Sequence, residues 1–222
     1  MTEVLFSNIN DFKKCVNTLT ETDGLLNKRG YKLHEKFTNL DYNELNNNNN
    51  IEFIGKKNNN SYCFIYFVNN TSFLSKSYKS KSKNNINNVE EEIIKLYNLN
   101  NEILNINLII ILTQLLKINN YILEKKIIDK INFNNIQIFT YNNLLFNITK
   151  HSRIPQNIKV INNKKEIEEL CILKNISSID KLPKILLNDP LANFYGLQVG
   201  ELFEFKKYSK NSGVYIYYRV CV

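Results

Sequence analysis

Residues 182–205 read LPKILLNDPLANFYGLQVGELFEF, and their punctuation decides how the C-terminal third of the chain folds. Leu182 to Leu187, LPKILL, reads as a short strand. Asp189-Pro190 supplies an N-cap followed by proline at the first helical position, where its missing N–H and fixed φ suit a helix start. Gly196 stops that helix about one and a half turns later. LFEFKKYS and VYIYYRVCV then flank K-N-S-G, two alternating runs around a glycine-bearing connection, which predicts a β-hairpin.

Working upstream, Ile158 to Ile161 is a short strand, and Asn163 with Glu166 three residues on has the form of a capping box opening a helix through Leu173. All three prolines of the chain, Pro155, Pro183 and Pro190, lie past His151. The texture before Lys150 is different. Ile9, Phe12, Val16 and Leu19 have helical spacing that continues through Leu26 to a glycine cap at Gly30, with Gly24 inside the helix at ~1 kcal/mol relative to alanine. Asn46 to Asn50 is an asparagine run that reads as a solvated loop. Ser61–Val68 (SYCFIYFV) is aromatic and β-branched and predicts a strand, Val89 to Leu99 a helix with EEE in its first turn, with an extended segment as the alternative, and Asn105–Leu112 a strand buried on both faces. Tyr121 to Ile131 is an amphipathic helix, Asn135–Thr140 a strand, and Leu144 to Ile148 a short helical stretch. The fold class is therefore an N-terminal α/β domain over 1–150 and a small mixed α/β domain over 151–222 that ends in a β-hairpin.

The chain has 222 residues, enough for two small domains without covalent staples. Cys15, Cys63, Cys171 and Cys221 are scattered and only His34 and His151 accompany them, so reduced thiols are expected and no metal site or cofactor. No apolar h-region follows Met1, and the run Leu108 to Leu112 is far short of the ~20 residues that span a bilayer. A soluble intracellular protein is expected. The net charge of +8 suggests an acidic partner, although Ala192 is the only alanine and Asn, Ile and Lys dominate, as A/T-rich codons would produce. Between Gly55 and Val89 stand six lysines and no acid.

Chemistry-bearing motifs are few. There is no nucleotide-binding glycine loop, no G-x-S-x-G and no H-E-x-x-H. Glu124-Lys125-Lys126 has the E-x-K form used by metal-dependent nucleases, with Asp41 as a conceivable second ligand. It falls on the polar face of a helix, where solvation accounts for it better. Lys76, Lys79, Lys81 and Lys83 lie in a serine-rich loop. They read equally as a solvated loop or as point charges for the phosphates of a duplex, without base recognition. In the last strand Tyr215, Tyr217 and Arg219 share one face and Ile216, Tyr218 and Val220 the other. Core filling and partner contact both explain such a strand.

Taken together, HSRIP at 151–155, the stretch at 182–205 and KKYSKNSGVYIYYRVCV at 206–222 closely resemble the C-terminal assembly domain of RNA polymerase subunit five, a family that includes a shorter archaeal counterpart. The matching positions are His151, Pro155, Leu182-Pro183, Asp189-Pro190, Gly196-Leu197 with Gly200, and Tyr218-Arg219. KRGY at 28–31 is similar to the end of the family's first helix. Gln156-Asn157 stands where the family has a basic residue or histidine, and TQLLKINN replaces its proline-containing loop. The resemblance implies a non-catalytic subunit of a multisubunit DNA-dependent RNA polymerase. Residues 1–150 would be a jaw near downstream duplex DNA, contacted non-specifically through Lys76, Lys79, Lys81, Lys83 and Lys117. Residues 151–222 would be an assembly domain that docks on the largest subunit and neighbouring small subunits. The implied docking residues are His151, Pro155, Pro183, Asp189, Pro190, Gly196, Gly200, Tyr217, Tyr218 and Arg219. It implies no small-molecule substrate, no membrane partner, and a nuclear location, or a virion and cytoplasmic factory if the source is a large DNA virus. A stand-alone metal-dependent nuclease and a free DNA-binding adaptor are the alternatives.

Overall fold

The computed structural model describes residues 8–33, 50–57, 61–68, 105–112, 135–155, 157–211 and 213–222. They fall into two compact units, Met1–Phe146 and Asn147–Val222.

In the first unit, α1 (Ile9–Thr20) is capped by the Asn8 side chain, which accepts from the Asn10 N–H at 2.9 Å. Its apolar stripe of Phe12, Cys15, Val16 and Leu19 is fully buried, and Phe12 meets Phe67 edge-on at 5.8 Å. The helix does not continue to Gly30 as its spacing predicts. It ends at Thr20, and Gly24 N–H donates to the Glu21 carbonyl at 2.7 Å before α2 (Leu25–Lys28) begins. A Cβ on Gly24 would lie 2.8 Å from the Glu21 oxygen and 2.9 Å from that of Leu19. Gly24 is thus a close-approach glycine in a corner, and not a weak point inside a helix. The corner lets Leu25 and Leu26 re-enter the core.

Five strands follow: β1 (Lys32–Leu33), β2 (Asn50–Lys57), β3 (Ser61–Val68), β4 (Asn105–Leu112) and β5 (Asn135–Thr140), in the spatial order β1-β2-β3-β4-β5. The first two pairings are antiparallel and the last two parallel. Leu108 to Leu112 of β4 are all buried, as a parallel strand with both neighbours and both faces covered requires. Tyr31 accepts a hydrogen bond from Asn107 Nδ2 across this sheet. Burial lowers the Arg29 guanidinium to about 10, while the nearby Cys63 and Tyr31 oppose that shift. The helices expected at 89–99 and 121–131, the loop carrying Lys76 to Lys83, and Lys117, Glu124, Lys126 and Asp41 lie outside the described residues. After β5 the expected short helix over 144–148 is replaced by two 3-10 turns, Tyr141–Leu144 and Ile148–Lys150, with the buried Leu144 closing the first.

The second unit contains β6 (Asn157–Ile161), α3 (Lys164–Leu173), β7 (Lys184–Ile185), α4 (Pro190–Tyr195), β8 (Leu202–Ser209) and β9 (Gly213–Cys221). The sheet order is β6-β8-β9-β7, antiparallel except for β7 with β9. Both faces of its centre are covered. Ile161, Leu170, Leu182, Leu202 and Val220 form a core with Ile167, Ile176, Ile179 and Tyr218 on one face. On the other, Tyr195 of α4 meets Phe203 edge-on at 5.2 Å. Leu202 and Phe203 are both fully buried, which at ~25 cal/mol per Å² of apolar surface is worth about 1.5–3 kcal/mol for each side chain.

Two elements of this unit differ from the sequence pattern. The strand over 182–187 is confined to Lys184–Ile185. Leu182 turns inward to the core, while the Asp189 N–H donates to the Leu186 carbonyl at 3.0 Å and bends Leu186 and Leu187 into the turn before α4. The capping box is half formed: Asn163 accepts from the Lys165 N–H at 3.0 Å, but Glu166 pairs with Lys159 of β6.

Candidate functional site

The stretch from Asp189 to Gly200 is built by local chemistry. The Asp189 carboxylate accepts from the Leu191 N–H at 2.8 Å, with Pro190 at the first helical position. Gly196 adopts φ 69°, the left-handed conformation that glycine takes without a Cβ penalty. It lets the Leu197 N–H reach back to the Ala192 carbonyl at 3.0 Å. Gly200, also left-handed, donates to the Cys221 carbonyl at 3.0 Å, and Cys221 donates to the Glu201 carbonyl at 2.9 Å. The turn after α4 is thereby tied to the end of β9.

The same end of the sheet gathers other predicted residues. Pro183 accepts from the Val220 N–H at 2.9 Å, and the exposed Arg219 reaches the Lys184 carbonyl through Nη1 at 3.5 Å. Tyr217 stacks on Phe205 at 4.9 Å with 12° between the rings and on Tyr215 at 5.8 Å. Tyr218 points to the opposite face and donates to Glu204 Oε2 at 3.1 Å. Burial raises the pKa of both phenols, helped for Tyr217 by Tyr215 and for Tyr218 by the hydrogen bond to Glu204. Both are neutral donors at physiological pH. Pro183, Asp189, Gly196, Gly200 and Arg219 thus belong to one hydrogen-bonded region, with the Tyr217 stack beside it and Tyr218 on the other face of the strand. His151 closes the 3-10 turn after Lys150 and its Nδ1 accepts from the Arg153 N–H at 3.3 Å. Pro155 is half-buried just before β6.

Sequence reasoning missed the apolar rim of this region. Leu186 is 61% exposed and Val199 67%. Leu187, also exposed, donates to the Val222 carbonyl at 2.9 Å. Assigning Leu182 to Leu187 to one strand hid the rim, although two leucines running straight into an Asp-Pro cap could have marked a turn with apolar corners. The rim and the aromatic stack suit a protein surface, with tyrosine and arginine beside apolar patches. Among the described residues no group of histidines, cysteines and carboxylates could hold a metal ion, and no described helix is long and apolar enough to cross a membrane.

Residues 146–221 match the family described as RNA polymerase Rpb5, C-terminal domain. The chain is 37% identical over 87 residues to the DNA-directed RNA polymerases I, II, and III subunit rpabc1 of Dictyostelium discoideum, covering 39% of this chain and 43% of that protein. It is 40% identical over 68 residues to the DNA-directed RNA polymerase V subunit 5A of Arabidopsis thaliana, covering 30% of this chain and 29% of that protein. The matched stretch spans less than half the length of either relative.

Proposed function

Because residues 146–221 belong to the RNA polymerase Rpb5 family through its C-terminal domain, we propose that the chain is a non-catalytic subunit of a multisubunit DNA-directed RNA polymerase, docking through its second unit. The observation that carries this reading is the coincidence of that match with the bonded region from Pro183 to Arg219. Relatives named as subunits of RNA polymerases I, II, and III and of RNA polymerase V support it. Pro183, Asp189, Pro190, Gly196 and Gly200 shape the surface. Tyr217 and Arg219 present donors and an aromatic face to the largest subunit, while Tyr218 braces the hairpin from behind. His151 and Pro155 set the entry into the domain. Residues 1–150 act as the jaw, where Lys76, Lys79, Lys81, Lys83 and Lys117 meet duplex phosphates without reading bases. The protein then works where that polymerase works, in the nucleus or in a viral factory.

Affinity purification of the tagged full chain from its native source tests the reading. The largest polymerase subunit should be recovered in a one-to-one ratio and remain bound through a second column. Recovery of the chain alone overturns the reading.

A further inference from the structure

β9 is nine residues long, yet β7 pairs only with its last two. On that side Val220 and Val222 donate to the Pro183 and Ile185 carbonyls at 2.9 Å each. Backbone groups alternate sides along a strand, so the N–H and C=O of Val214, Ile216 and Tyr218 point the same way. β8 fills the other side from Ser209 opposite Gly213 to Leu202 opposite Val220. Among the described residues no strand occupies the outer side beyond β7. The cause is local. The next ladder bond would run from residue 183 to the Tyr218 carbonyl, and proline has no N–H to give. Leu182 then turns into the core.

We propose that the Gly213–Tyr218 edge of β9 takes up an extended acidic segment of a partner polypeptide as an added strand in line with β7. This deepens the docking reading and rests on it only for the identity of the partner. Exposed sheet edges are normally blunted by charge, proline or a bulge. Here the edge carries Val214, 56% exposed, and Ile216, 46% exposed, on one face, and Tyr215 and Tyr217 on the other. Such an edge gives affinity through main-chain bonds and specificity through alternate side chains. Its charge selects the partner. From Phe205 to Arg219 there are Lys206, Lys207, Lys210 and Arg219 and no Asp or Glu, and Glu204, opposite Tyr218, is taken up by the Tyr218 hydroxyl. Lys206 lies opposite Ile216 and Lys207 opposite Tyr215, about 10 Å from an incoming strand two places over. Long lysine and glutamate side chains span that distance from both sides. A nucleic-acid backbone could use the same lysines but has no need of a free ladder.

The test uses the full chain and a capped synthetic octapeptide that alternates valine and glutamate. At peptide on the order of 1 mM, amide exchange at Val214, Ile216 and Tyr218 should slow roughly tenfold or more. The same peptide N-methylated at alternate residues, or with lysine for glutamate, should leave exchange unchanged. Ile216→Pro removes an outward N–H and spares the bonds to β8, so it should weaken peptide binding at least about fivefold. If that variant does not fold, the N-methylated peptide reports the same requirement. Unchanged exchange with the valine-glutamate peptide overturns the proposal. So does equal slowing by the methylated peptide, or slowing by duplex DNA alone. Failure of the chain to co-purify with large polymerase subunits would count against the polymerase reading and leave this measurement standing.

Discussion

The Tyr217 ring lies flat on Phe205, 4.9 Å between centroids and 12° from parallel, so an aromatic of the last strand is held in place by its cross-strand neighbour. Removing the ring by Tyr217→Ala loses that stack, ~0.5–1.5 kcal/mol, together with the apolar area it covers. We expect a loss of about 2 kcal/mol, read by urea denaturation of the full chain. Arg219→Ala, whose side chain is exposed, should change stability by less than about 0.5 kcal/mol and yet reduce incorporation into polymerase. Normal incorporation of Arg219→Ala would remove that residue from the docking surface.

Gly24→Ala separates the sequence reading from the structure. Inside a helix, alanine would stabilise by ~1 kcal/mol. In the corner after α1 its Cβ meets backbone atoms of Glu21 and Leu19 at under 3.0 Å, so destabilisation of ~1–3 kcal/mol is expected. A melting temperature above that of the wild type would restore the continuous helix.

The caps of α4 should be worth measurable amounts. Asp189→Ala leaves the Leu191 N–H without its carboxylate acceptor and should cost about 1 kcal/mol. Gly196→Ala must hold φ near 69° and should cost ~1–2 kcal/mol. Asp189→Asn, a comparable cap, should restore most of the loss. Equal destabilisation by Asn and Ala would mean that the charge of Asp189, and not its cap, is what matters.

Alkaline pH should loosen the first unit. Burial pushes the Cys63 thiol from its ordinary 9.0 up to about 12, against the opposing pull of Arg29, and raises Cys15 above its usual range as well. Both are neutral in the fold, so this contribution is complete below pH 9. It is lost as pH rises from 9 toward 12, because the unfolded chain releases its thiol protons first. Stability against pH should therefore slope downward from pH 9, and Cys63→Ala should flatten the slope. An unchanged slope in that variant would assign it to other groups. In the native protein a thiol reagent should label the half-buried Cys171 well before Cys15 or Cys63.

The lysine run is testable by salt. Changing Lys76, Lys79, Lys81 and Lys83 to serine should shorten the lifetime of an elongation complex more at low salt than at high, each lost phosphate contact lowering the salt slope by ~0.9. The rate per nucleotide should change little. Identical lifetimes and slopes in the two proteins would reduce the run to a solvated loop.

Much of this molecule was legible because short-range chemistry decides it. Asp189, Pro190 and Gly196 set the bounds of α4 through caps that involve near neighbours only. The alternation in LFEFKKYS and VYIYYRVCV and the glycine between them set the β8–β9 hairpin. The unbroken apolar run of β4 announced a strand buried on both faces. Three things were not carried by the apolar pattern, the first settled by a close backbone approach and the other two only in tertiary structure. Helical spacing runs on across Gly24, whereas the helix ends at Thr20 and Gly24 lies in a corner against the backbone of Glu21 and Leu19. Leu182 to Leu187 looked like one strand, but the core claims Leu182 while the turn before α4 exposes Leu186. The open edge of β9 exists because Pro183, far from Tyr218 in sequence, is brought beside it and has no N–H to continue the ladder. Caps and alternation are read within a few residues, but which backbone groups remain unpaired depends on which distant segment is brought alongside.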